Sequence, residues 1–96
     1  MTSDPALLEE RRRMLRERVQ GLRDELGELA AAYRGLPESG LLLDTEGVGA
    51  LLTPGYCIAG AVEVFDEALI EIDAADDALG RAGDYTGRLR RAAFES

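Results

Sequence analysis

Leucine recurs every seven residues through the first third of the chain, at Leu8, Leu15, Leu22, Leu29 and Leu36. A companion stripe runs beside it, at Arg12, Val19, Leu26 and Tyr33. Alternating spacings of three and four residues are typical of one face of a long amphipathic helix. Asp4 followed by Pro5 supplies an N-cap and a first helical residue, and Gly35 supplies a stop signal. The pattern predicts a helix over about residues 5–34.

A second helix is predicted over about residues 54–82. Thr53 followed by Pro54 repeats the start signal. Apolar residues again recur at spacings of three and four, at Val62, Phe65, Leu69, Ile72 and Leu79. Gly83 is expected to end this helix, and Asp84 to cap a short third helix over about residues 85–94.

The segment over about residues 35–53 is harder to interpret, because glycines and a proline are scattered among leucines. We expect an irregular connection with one or two helical turns. Two short strands, over residues 41–43 and 48–52, are the alternative. A connection of this length in a small domain is often functional.

Two long amphipathic helices joined by such a connection predict an all-α antiparallel helical hairpin in a single domain, residues 1–96. Residue i of the first helix should lie level with about residue 90–94 minus i of the second. A lone hairpin buries little apolar surface, so we expect a homodimer that forms a helical bundle. The expected interface consists of Leu8, Leu15, Leu22, Leu29, Leu36, Val62, Phe65, Leu69, Ile72 and Leu79.

The composition narrows the function classes. The net charge is -8, from 11 basic residues, all arginine, and 19 acidic ones, and the chain has no His, Lys or Trp and a single Cys. Without His there is no Ser-His or Cys-His dyad and no ordinary catalytic zinc site. The negative charge argues against binding to nucleic acid or to an anionic membrane. We expect a cytoplasmic protein, with non-classical export as the alternative, and we expect Cys57 to be a small buried apolar residue.

The arginines near the start of the chain invite comparison with the basic region of a leucine zipper. They lie inside the heptad repeat instead of before it, and the second helix carries seven acidic residues against one arginine. We therefore predict ion pairs between the two helices. Asp76 occupies an apolar-stripe position, where an unpaired carboxylate would be costly. It is expected to pair with Arg11, Arg12 or Arg18.

Four carboxylates form the one arrangement that suggests chemistry. Glu25 and Glu28 on the first helix should meet Glu63 and Asp66 on the second at one height, and clustered carboxylate oxygens suit Mg²⁺. The paired motifs Glu25-x-x-Glu28 and Glu63-x-x-Asp66 resemble those of the all-α nucleoside-triphosphate pyrophosphohydrolases. That resemblance implies Mg²⁺-dependent hydrolysis between the α and β phosphates. The other interpretation is a solvated acidic face, without a metal.

A second resemblance is one of layout. A chain of about 100 residues that is acidic and forms a helical hairpin is similar to the WXG-motif substrates of type VII secretion, which implies an export substrate or its chaperone. Weighing these alternatives, we expect a small non-enzymatic adaptor or scaffold without a cofactor. It would act through coiled-coil-type helix packing and bind a second copy of itself and another protein.

Overall fold

The computed structural model describes residues 4–46, 53–90 and 92, and these form two long helices. Helix α1 spans Pro5–Arg34, a short 3-10 turn spans Leu36–Glu38, and helix α2 spans Pro54–Thr86. No strand occurs within these ranges, so the predicted all-α class is confirmed. The molecule is a rod with extents of 77 × 23 × 22 Å.

Side-chain caps fix the starts of both helices. The Asp4 carboxylate accepts a hydrogen bond from the backbone N–H of Ala6 at 2.9 Å, directly before the predicted first residue Pro5. The Thr53 hydroxyl accepts one from the backbone N–H of Tyr56 at 3.2 Å. Each cap satisfies a donor that the first helical turn leaves unpaired, and each following proline already has a helical φ angle.

The end of α2 differs from the prediction. The helix continues through Gly83 to Thr86, and the N–H of Gly87 then bonds to the carbonyl of Gly83 at 2.9 Å. Gly83 has a packing role, because a Cβ atom there would lie 2.7 Å from Cζ of Arg12. The glycine gives a guanidinium room beside the helix and does not stop it.

The predicted third helix is not found at the described positions. Residues 85 and 86 belong to α2, residues 87 and 88 form a turn, and residues 89, 90 and 92 are outside any helix. Residues 91 and 93–96 lie outside the described ranges.

The connection starts as expected, with a single 3-10 turn after α1. Residues 39–46 follow without regular structure, and Gly40 has a φ of 83°, a conformation that favours glycine. The alternative strand over residues 41–43 is therefore not observed. The other candidate, residues 48–52, lies outside the described part of the chain.

The two helices pack antiparallel to each other. The hydroxyl of Thr86 donates to the carboxylate of Glu9 at 2.7 Å near the free ends. At the other end the rings of Tyr33 and Phe65 lie 5.4 Å apart. These pairs place residue i of α1 level with about residue 95–98 minus i of α2, slightly beyond the predicted register.

Little of the chain is buried. Ala30, 1% exposed, is the one fully buried residue in the described ranges. The accessible surface is 7895 Å², whereas a compact folded monomer of 10.4 kDa exposes about 5,400 Å². The difference, roughly 2,500 Å², reflects the elongated shape of two packed helices together with exposed segments outside them, such as residues 39–46.

Candidate interaction surface

One side of the helix pair carries ion pairs between α1 and α2. Arginines 16, 23 and 34 contact aspartates 76, 73 and 66, each at 3.0 Å. These pairs are a third to a half exposed apart from Asp76, which is 24% exposed. Exposed pairs of this kind are worth about 0–1 kcal/mol each, so they contribute little to the stability of the fold.

The partner of Asp76 differs from the predicted ones. Arg16 holds it, through Nε at 3.0 Å, instead of Arg11, Arg12 or Arg18. This hydrogen bond is the main cause that lowers the pKa of Asp76 below its ordinary value. The prediction assumed that the leucine stripe forms the centre of the contact. In the structure α1 is rotated away from that position, which turns Arg16 towards α2.

A second polar cluster closes the free end of the helix pair. Arg12 donates two hydrogen bonds of 2.8 Å to the Glu9 carboxylate and one of 3.0 Å to the backbone carbonyl of Leu79. The side chains of Arg12 and Glu9 are 16% and 13% exposed. The bonds from Arg12, followed by that from Thr86, lower the pKa of Glu9 from 4.5 to about 2. The same pair raises the pKa of Arg12.

Acid should weaken this cluster. The pKa of Glu9 is lower in the folded state than in the unfolded chain. The contribution of Glu9 to the stability of the fold is therefore present above about pH 4.5 and is lost as the pH falls towards 2. We expect the wild type to melt at a higher temperature than Glu9→Gln at neutral pH, and the gap to shrink as the pH falls. Thermal melts followed by circular dichroism across that range measure it. A gap that stays constant with pH would contradict the assignment.

The opposite side of the helix pair is apolar and exposed to solvent. Leu8, Leu15, Leu22 and Leu29 are 46%, 47%, 56% and 45% exposed. In α2 the predicted residues Val62, Phe65, Leu69, Ile72 and Leu79 are half-buried, as is Leu36 after α1. The expected interface is thus divided: its α2 members line the contact with α1, and the leucines within α1 lie beside that contact.

A stripe of alanines on α2 lies on the same side of the helix pair. Each residue turns an α-helix by 100°, so Leu15 and Leu22 are 100° from Arg16 and Arg23 around α1. Around α2, alanines 68 and 75 are 160° from aspartates 66 and 73. In an antiparallel pair these rotations turn both stripes to one side, opposite the ion pairs. We call this side the Leu/Ala face: Leu8, Leu15, Leu22, Leu29, Ala61, Ala68, Ala75 and Ala82.

The two stripes are matched in height. Both have a spacing of seven residues, and the observed register places Leu15 beside Ala82, Leu22 beside Ala75 and Leu29 beside Ala68. Each of these three levels therefore combines one large and one small apolar side chain. Arg11 and Arg18 border a depression around Leu8 and Leu15 on the outer side of α1.

The four candidate metal ligands do not form a cluster. Glu25, Glu28, Glu63 and Asp66 are all exposed, and Asp66 is bonded to Arg34 at 3.0 Å. No group of three or more Asp, Glu, Cys or His side chains placed to hold a metal ion occurs among the described residues. The geometry that the pyrophosphohydrolase alternative requires is not found in these ranges.

Two further features were missed or misjudged from the sequence. Cys57 is exposed, not buried, near the start of α2. In the connection, Leu41 and Leu42 are 65% and 102% exposed.

Within the described ranges, no helix has the length and apolar character to cross a bilayer.

Comparison of the chain with protein-family models, with curated proteins and with solved structures gives no match.

Proposed function

We propose that this chain is a non-enzymatic helical interaction protein, a small adaptor or scaffold that acts by packing its helices against other helices. The observation that carries the proposal is the row of leucines along α1, each about half exposed. Fully burying a leucine side chain contributes about 1.5–3 kcal/mol. A repeated row of such residues is a surface that another helix can cover.

The first partner in this proposal is a second copy of the chain. The excess accessible surface, roughly 2,500 Å², is larger than the 800 Å² or so that each partner contributes to a standard interface. A helix pair with one fully buried residue in its described ranges also has little interior of its own. Dimerisation into a four-helix bundle supplies that interior.

The outer side of α2 remains for another protein. Ile70 is 70% exposed there, among acidic residues such as Glu63 and Glu67. An exposed isoleucine among carboxylates suits a partner helix that carries apolar and basic side chains. The adaptor role thus uses two surfaces, one for the second copy and one for the partner protein.

Sedimentation equilibrium tests the self-association. We expect the wild type to be a dimer at micromolar concentration and Leu22→Glu to sediment as a monomer, because the change places a charge in an apolar contact. Ile70→Glu is the matched control, since it converts an exposed aliphatic residue outside the Leu/Ala face and should remain dimeric. A wild type that is a stable folded monomer of 10.4 kDa would refute the proposal.

A further inference from the structure

We infer that the second copy docks on the Leu/Ala face with its two-fold axis parallel to the helices. In this arrangement both connections lie at the same end of the bundle, and α1 of each copy lies on α2 of the other. The inference rests on the proposed self-association and specifies its geometry. Three properties of the face support it: side-chain size, charge and area.

The sizes of the side chains are self-complementary under this symmetry. A two-fold axis parallel to the helices keeps every residue at its own height and exchanges left with right. Leu22 of one copy then sits over Ala75 of the other, and Leu15 sits over Ala82. Alternating large and small residues across facing positions lets the layers interdigitate. An isologous interface requires self-complementarity of this kind.

The charges of the two helices favour the same arrangement. Helix α1 carries seven arginines and six acidic residues, a net charge of +1, whereas α2 carries one arginine and eight acidic residues, a net charge of -7. With a parallel axis, each α2 lies against the near-neutral α1 of the other copy. With a perpendicular axis, the two α2 helices would lie against each other. That pairing is disfavoured because both helices are strongly negative.

The area of the face falls at the lower end of the range of standard interfaces, about 600–1,000 Å² per partner. From Leu8 to Leu29 the face is about 31 Å long at 1.5 Å per residue. Two helices whose axes are about 8–10 Å apart give it a width near 20 Å. The planar area is then about 600 Å², and the accessible area over protruding side chains is larger, which approaches the roughly 800 Å² per partner of a standard interface.

The chain contains its own probe for this geometry. Cys57 is exposed and lies one helical turn before Ala61, on the same side of α2. With the parallel axis, the two Cys57 residues are at one height, and the backbones of the two α2 helices are separated by the diagonal of the bundle, about 11–14 Å. With the perpendicular axis through Ala75, they lie at opposite ends, about 54 Å apart.

Cross-linking with a bismaleimide whose spacer matches the bundle diagonal distinguishes the two arrangements. We expect a covalent dimer to form in high yield at concentrations where sedimentation shows a dimer. Ile70→Glu should cross-link equally well, and Leu22→Glu and Cys57→Ser should not cross-link. Quantitative labelling of the dimer with a monofunctional maleimide establishes that the thiol is accessible.

The outcomes separate this inference from the proposed function. A sedimenting dimer that labels fully but does not cross-link would overturn the parallel arrangement and leave the self-association intact. A dimer that persists in Leu22→Glu would overturn the choice of face. A folded monomer would refute both the inference and the proposed self-association.

Discussion

The melting temperature of this chain is expected to rise with protein concentration, by about 3–6 °C for each tenfold increase. Unfolding of a dimer releases two chains, so a tenfold increase in concentration shifts the balance by about 1.4 kcal/mol. For two copies of 96 residues, each kcal/mol corresponds to about 2–4 °C. Over a hundredfold range the shift reaches roughly 6–11 °C, which circular dichroism resolves easily.

The leucine variant supplies the comparison. Leu22→Glu should melt at a lower temperature, and that temperature should not depend on concentration, because the variant has no association to lose. Ile70→Glu should retain the wild-type slope. A wild-type melting temperature that is flat over the hundredfold range would show that the helix pair is stable without a second copy.

The starts of both helices could be predicted because their causes are local. Asp4 and Thr53 each precede a proline, and their side chains cap the backbone within three residues. Spacings of three and four residues likewise indicate a helix whatever lies around it. The all-α class follows from these signals, and the structure agrees with it.

Which stripe of α1 faces α2 could not be predicted from the repeat. The most regular apolar stripe, that of Leu15 and Leu22, looks like the centre of the contact. In the structure these leucines lie at its edge, and Arg12 and Arg16 enter the contact instead. Around α1 the leucine stripe lies about 60° from Arg12 and about 100° from Arg16, and the choice between them depends on polar groups of α2 that are distant in the sequence.

The role of Gly83 was hidden for the same reason. A glycine near the end of a helical pattern usually marks a C-cap. Its role in accommodating the guanidinium of Arg12 depends on a side chain 71 positions earlier. The predicted carboxylate cluster is not found for a related reason. The register of a helix pair gives the height of a residue along the helix, but not the side of the helix on which it lies.

Ala30 is the position where the contact between α1 and α2 should be most sensitive to size. At 1% exposure it is covered by the residues around it, so we expect the larger side chain of Ala30→Leu to separate the helices or to adopt a strained rotamer. Overpacking of this kind costs about 1–3 kcal/mol. Denaturant unfolding at a fixed protein concentration measures the loss.

Ala32→Leu is the matched control, because Ala32 is exposed two residues further along the same helix. Both changes keep a good helix former, so their difference reports packing alone. The control should stay within about 0.5 kcal/mol of the wild type, as surface substitutions usually do. Since Ala30 faces α2 of its own chain and the leucines face outward, Ala30→Leu should weaken the helix pair itself. Equal stability of the two variants would mean that the helices do not pack in the register described by Glu9 with Thr86 and Tyr33 with Phe65.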